Sequence, residues 1–101
     1  MSDFVRVAAV AEIPAGEGRT VEVSGRQIAL FNSGGEFYAI DNICKHKGGP
    51  LGEGELDDKT VLCPLHGWAY DITSGECLED DACSVERFEI KVENGEVWVR
   101  A

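Results

Sequence analysis

The stretch CKHKGGPLGEGELDDKTVLCPLHGWAY, Cys44 to Tyr70, contains both histidines of the chain and two of its four cysteines. Its polar order is Cys44-x-His46, sixteen residues, then Cys63-x-x-His66. Two short loops, each offering one thiolate and one imidazole, can converge on a metal centre if the residues between them fold back as a hairpin. Two centres suit that donor set. A single Zn²⁺ accepts two cysteines and two histidines as a tetrahedron, and a [2Fe–2S] cluster can take two cysteines on one iron and two histidines on the other.

Loop chemistry separates these readings. A zinc finger of this composition keeps its cysteines in one turn and its histidines on a helix, whereas here each loop carries one of each. Mixed loops suit two irons, because cysteines from both loops can reach an inner iron while both histidines reach an outer one. Gly48-Gly49-Pro50, with Pro64 and Gly67, would let backbone N–H groups approach bridging sulfides without a Cβ in the way. The pair CxHxGGPL and CPLHGWAYD resembles the cluster-binding loops of Rieske-type [2Fe–2S] proteins, and the resemblance extends over nearly the whole chain. It implies Cys44 and Cys63 as thiolates on the buried iron, and His46 and His66 as neutral imidazoles on the outer one. It also implies that the second nitrogens of both histidines face solvent, where an electron can leave. The zinc-binding structural or interaction module stands as the alternative of another class.

Composition limits the partners. The 101 residues suffice for one domain, 1–101, and 44% hydrophobic residues for a small core, so the metal is expected to matter to folding. Nineteen acidic against nine basic residues give a formal charge of −10, which argues against nucleic acid or an anionic membrane and for a basic docking surface. No run approaches the roughly 18 apolar residues of a membrane span, and the apolar patch Val5–Val10 behind Asp3 is too short for a signal peptide. A cytoplasmic protein without a membrane partner is expected, in a compartment where Cys77 and Cys83 are buried free thiols rather than a disulfide.

Turn residues divide the rest of the chain into short β-rich runs. A strand near Phe4–Val7 ends at the turn Ile13–Gly18. Thr20–Val23 and Gln27–Phe31 form a hairpin across Ser24-Gly25-Arg26, Asn32–Gly35 closes that strand, and Glu36–Ile40 delivers the chain to the first ligand loop. Glu53, Glu55, Asp57 and Asp58 around Gly54 read as a solvated hairpin tip. Val61-Leu62 and Trp68–Asp71 flank the second loop, and Phe88–Val92 pairs with Glu96–Val99 across Asn94-Gly95. The fold class is all-β: an antiparallel sandwich or barrel base with a small cluster-binding subdomain inserted at approximately 42–71, as the resemblance also implies.

The resemblance bears on potential too. High-potential respiratory members of the family carry a disulfide between extra cysteines in the two loops, and the matching positions here are Gly49 and Leu65. Their serine two residues after the second histidine, which bonds a bridging sulfide, is replaced by Trp68, while the tyrosine that bonds a cysteine sulfur is retained as Tyr70. Fewer donors to the cluster stabilise the added electron less, placing the potential near the low end of the Rieske range. Trp68 and Tyr70 also read as core, and Lys45 and Lys47 flank the exit point at His46.

The chain shows no nucleophile–base pair, mononuclear iron triad or nucleotide loop. The expected role is therefore an electron-transfer component rather than an enzyme. It would pass one electron at a time from a flavin-dependent reductase to a terminal oxygenase. The alternative is the small subunit of an assimilatory nitrite reductase, whose partner is the large subunit.

Overall fold

The computed structural model describes residues 4–43, 49–65, 67–79 and 84–100. Within them run β1 (Val5–Ala9), β2 (Glu17–Val23), β3 (Arg26–Ser33), β4 (Glu36–Asp41), β5 (Glu55–Asp57), β6 (Thr60–Leu62), β7 (Ala69–Asp71), β8 (Arg87–Glu93) and β9 (Glu96–Arg100). Two 3₁₀ turns, Val10–Glu12 and Leu51–Glu53, complete the regular structure of the described residues. One sheet has six strands in the order β1-β9-β8-β4-β3-β2, and a second has three, β5-β6-β7. All named pairings are antiparallel. β1 and β2, at opposite ends of the large sheet, come back into contact, so that sheet curls into a nearly closed barrel. This is the all-β base read from the sequence. Among the described residues no helix is long and apolar enough to cross a membrane.

Tight turns set the register of the barrel. Ser24-Gly25, Gly34-Gly35 and Asn94-Gly95 all have positive φ at both central residues, the type I′ geometry whose twist matches that of the strands it joins. Their closing pairs are Val23↔Arg26, Ser33↔Glu36 and Glu93↔Glu96. Arg26 thus belongs to β3 rather than to the turn, and Asn32 and Ser33 continue β3 instead of ending it. Asn32 is buried, with its carboxamide donating to the Ile13 carbonyl at 2.7 Å and accepting from the Gly35 N–H at 2.9 Å.

β3 explains why the middle of the chain looks uniformly apolar. Ile28 and Leu30 face the barrel interior with Ala8, Ile13, Phe37, Phe88 and Val97. Ala29 and Phe31 face the opposite side, in a second core with Ile40, Leu51, Val61, Cys63, Tyr70 and Ile72. A strand that serves as the shared wall of two cores is buried on both faces, so alternation gives way to a continuous run. The small sheet is fastened to the barrel through that second core.

The expected acidic hairpin tip is displaced. Gly54 is not at a tip: a Cβ there would fall 2.1 Å from the Leu62 carbonyl oxygen, so the glycine is required by the close packing of the chain against β6. The turn comes at Asp58-Lys59, with Asp58 at φ 55 and Asp57↔Thr60 as the closing pair.

Candidate metal centre

The second loop is built by β6 and β7. Leu62↔Ala69 is their last pair, and beyond it the Cys63 N–H donates to the Trp68 carbonyl at 2.8 Å while the Gly67 N–H donates to the Cys63 carbonyl at 2.9 Å. Gly67 takes φ 76, a conformation that other residues adopt at a cost. This closed turn holds Cys63 at 2% exposure and pushes Leu65 out to 62%.

The first loop leaves the barrel at the end of β4. The Ile43 N–H donates to the Asp41 carboxylate at 3.1 Å, Ile43 bridges Pro50, and the Leu51 N–H donates to the Asn42 carbonyl at 2.7 Å. The loop is therefore drawn together at its neck before it reaches Cys44. Gly49, just inside the neck, lies against the second loop. A Cβ at Gly49 would stand 2.7 Å from Cys63 Sγ and 3.0 Å from Leu65 Cγ. The backbone of one loop thus touches the thiol of the other, and only glycine leaves room for it.

Cys63 is the ligand candidate among the described residues. Cys44, His46 and His66 lie outside them, as do Lys45, Lys47 and Cys83. Among the described residues no three metal-donor side chains gather. A cavity of about 460 Å³, lined by Glu55, Leu62, Cys63, Pro64, Leu65 and Gly67, lies at Cys63. A buried thiol on the wall of a cavity, approached by glycine backbone, fits a sulfide-bridged cluster, which needs a thiolate and N–H groups close by with no side chain between.

Behind this turn, Tyr70 is fully buried and bridges Cys77, itself a buried free thiol. Trp68, Tyr38 and Leu56 pack partly buried against the same core. The Tyr38 phenol is held above its ordinary pKa of 10.0 by burial first, then by its 3.1 Å donation to Glu36 and by the charges of Glu36, Asp58 and Asp71. Sequence reading passed over Asn42, whose side chain is wholly buried at the neck of the first loop. An asparagine ahead of a loop reads as a turn residue, and only the fold gives it partners.

Comparison with known proteins decides between the two metals. The Rieske [2Fe–2S] domain matches residues 3–91. The chain belongs to the Rieske [2Fe–2S] family. It is 40% identical over 92 residues to the 3-phenylpropionate/cinnamic acid dioxygenase ferredoxin subunit of Escherichia coli (strain K12), covering 89% of this chain and 86% of the relative. The ferredoxin solved in the complex of reduced oxygenase and oxidised ferredoxin in carbazole 1,9a-dioxygenase is similar at TM-score 0.87 and 32% identity, over 96% of this chain and 92% of that one. A protein assigned as an NADH-dependent nitrite reductase small subunit of Mycobacterium tuberculosis is similar at TM-score 0.91 and 25% identity, over 100% and 96% of the two chains. The Rieske protein described here carries one [2Fe–2S] cluster and acts as an electron carrier, the role of a ferredoxin component rather than of a catalyst. The zinc module is set aside by the same match.

Proposed function

We propose that Cys44 and Cys63, as thiolates, and His46 and His66, as neutral imidazoles, hold the cluster, and that the carrier passes electrons from a flavin-dependent reductase to a terminal oxygenase. The observation that carries the ligand reading is the contact of the two loops: Gly49, three residues past the first Cys-x-His box, lies against the sulfur of Cys63 in the second. When bound, the cluster supplies one reversible electron. The chain supplies the rest. Cys63 is buried, so water is kept from the sulfur, while Pro64 and Leu65 remain exposed beside it as an apolar rim for a partner. The formal charge of −10 favours a partner with a basic docking face in the cytoplasm.

A low potential within the range of about −150 to +300 mV is part of this reading. Positions 49 and 65, which hold the disulfide in the high-potential branch, are neighbours here and carry glycine and leucine. Trp68 brings no hydroxyl to the cluster. The likeness to the Mycobacterium tuberculosis protein supports a second reading, service to a nitrite reductase large subunit.

Stopped-flow oxidation distinguishes the two. The protein, reduced through a flavin reductase and NADH, is mixed with an oxidised ring-hydroxylating oxygenase or with a nitrite reductase large subunit. Reoxidation at turnover rates by the oxygenase is expected. Reoxidation only by the nitrite reductase would replace the acceptor, and reoxidation by neither would remove the carrier role in both systems.

A further inference from the structure

We infer that Asn42 is a positioning residue for the cluster: its buried carboxamide clasps the two ends of the first ligand loop to the barrel and so fixes where Cys44 and His46 stand. The inference rests on the reading that those two residues are ligands.

Asn42 is two residues before Cys44 and is 0% exposed. Its Oδ1 accepts from the Gly52 N–H at 2.7 Å and from the Thr20 hydroxyl at 3.1 Å. Its Nδ2 donates to Gln27 Oε1 at 3.3 Å. The Asn42 N–H donates to the Gln27 carbonyl at 3.2 Å, and the Asn42 carbonyl accepts from the Leu51 N–H at 2.7 Å. One residue thus ties the entry of the loop to its exit at 51–52, and ties both to β2 and β3 of the barrel.

The surroundings are shaped for this group. A Cβ at Gly52 would fall 2.6 Å from Thr20 Oγ1 and 2.9 Å from Asn42 Oδ1, so a side chain there would break the clasp. A Cβ at Gly18, on the same strand as Thr20, would lie 3.2 Å from the Gly52 carbonyl oxygen and 2.5 Å from the Phe31 ring. Small residues on β2 let the turn Leu51–Glu53 come down onto the barrel where the carboxamide meets it. The chemistry selects asparagine. An apolar side chain would leave the Gly52 N–H buried without its acceptor, and a carboxylate would lose the donor to Gln27 while adding a buried negative charge. A neutral amide holds the loop without adding charge beside a site that must accept an electron.

The test compares cluster-loaded wild type with N42A and T20V by three measurements: far-ultraviolet circular dichroism for the barrel, the rate at which visible absorption is lost in excess chelator, and the g-values of the reduced protein by electron paramagnetic resonance. N42A is expected to keep the barrel, to bleach about tenfold faster, as the loss of a buried hydrogen-bond acceptor implies, and to show displaced g-values because the ligand loop has moved. Wild-type g-values in N42A overturn the inference whatever its stability, since an asparagine with a merely structural role would change stability alone. Should N42A not fold, T20V decides, because it removes one donor to Oδ1 with the shape kept. Bleaching about threefold faster supports the clasp, and a wild-type rate overturns it. Wild-type protein without visible absorption overturns the ligand reading itself, and that result is distinct from either failure of the variants.

Discussion

Replacing Gly49 by alanine puts one methyl group where the two ligand loops touch. The added Cβ would lie 2.7 Å from Cys63 Sγ, 3.0 Å from Leu65 Cγ and 3.3 Å from Leu65 Cδ1, against the 3.4 Å at which ordinary contact begins. Leu65 is 62% exposed and can swing away into solvent, so the leucine contacts cost little. The sulfur has no such freedom, because Cys63 is 2% exposed and its backbone is fastened at both N–H and carbonyl. A shortfall of about 0.7 Å must then be taken up by moving the thiolate or the neck of the first loop. Overpacking of this kind costs about 1–3 kcal/mol, and most of it falls on the ligand geometry. G49A should therefore lose its visible absorption to chelator about tenfold faster than wild type and melt at lower temperature, while L65A, which relieves only the cheap contacts, should not rescue it. A G49A protein with the wild-type bleaching rate and melting temperature would refute the claim that Gly49 is kept small by the Cys63 sulfur.

Other expectations follow from the same geometry. C63S should lose nearly all visible absorption and give less folded protein, because a hydroxyl does not replace the thiolate and a small core leans on its metal; normal absorbance in that variant would remove Cys63 from the ligand set. Association with a basic reductase should slow as salt rises, since a Debye length of about 8 Å at 0.15 M screens the −10 charge; stopped-flow rates flat across salt would remove electrostatic steering. The raised pKa of Tyr38 means that its contribution to stability is complete below pH 10.0 and is lost as pH rises through the folded value. Thermal melts of wild type and Y38F should run in parallel below pH 10.0 and separate above it, the wild type falling further; curves parallel throughout would contradict the shift.

Much of this fold could be read from local chemistry. Asn94-Gly95 and Ser24-Gly25 announce their hairpins because positive φ at two successive residues has few sequence solutions. The two ligand boxes stand out for a similar reason, since metal donors at fixed spacing are rare by chance. What escaped depends on distant neighbours. Gly54 resembles a turn glycine among acidic residues, yet it is small because the Leu62 carbonyl comes within 2.1 Å of where its Cβ would be. Asn42 resembles a loop asparagine, and its partners Thr20, Gln27 and Gly52 are 22, 15 and 10 residues away. The doubled burial of β3 likewise needs the second sheet to be in place before it can be recognised. Cys44, His46 and His66 fall outside the described residues, so the sequence pattern and the contact between Gly49 and Cys63 together support their assignment.

The most direct test of the account uses the fact that the chain has only two histidines. Protein grown with ¹⁵N-labelled histidine, isolated with its cluster and reduced, is measured by pulsed electron paramagnetic resonance. Two strongly coupled histidine nitrogens are predicted, falling to one or to loss of the signal when either His46 or His66 is replaced by alanine. A cluster signal with no histidine nitrogen coupling, or a colourless protein containing zinc, would contradict it.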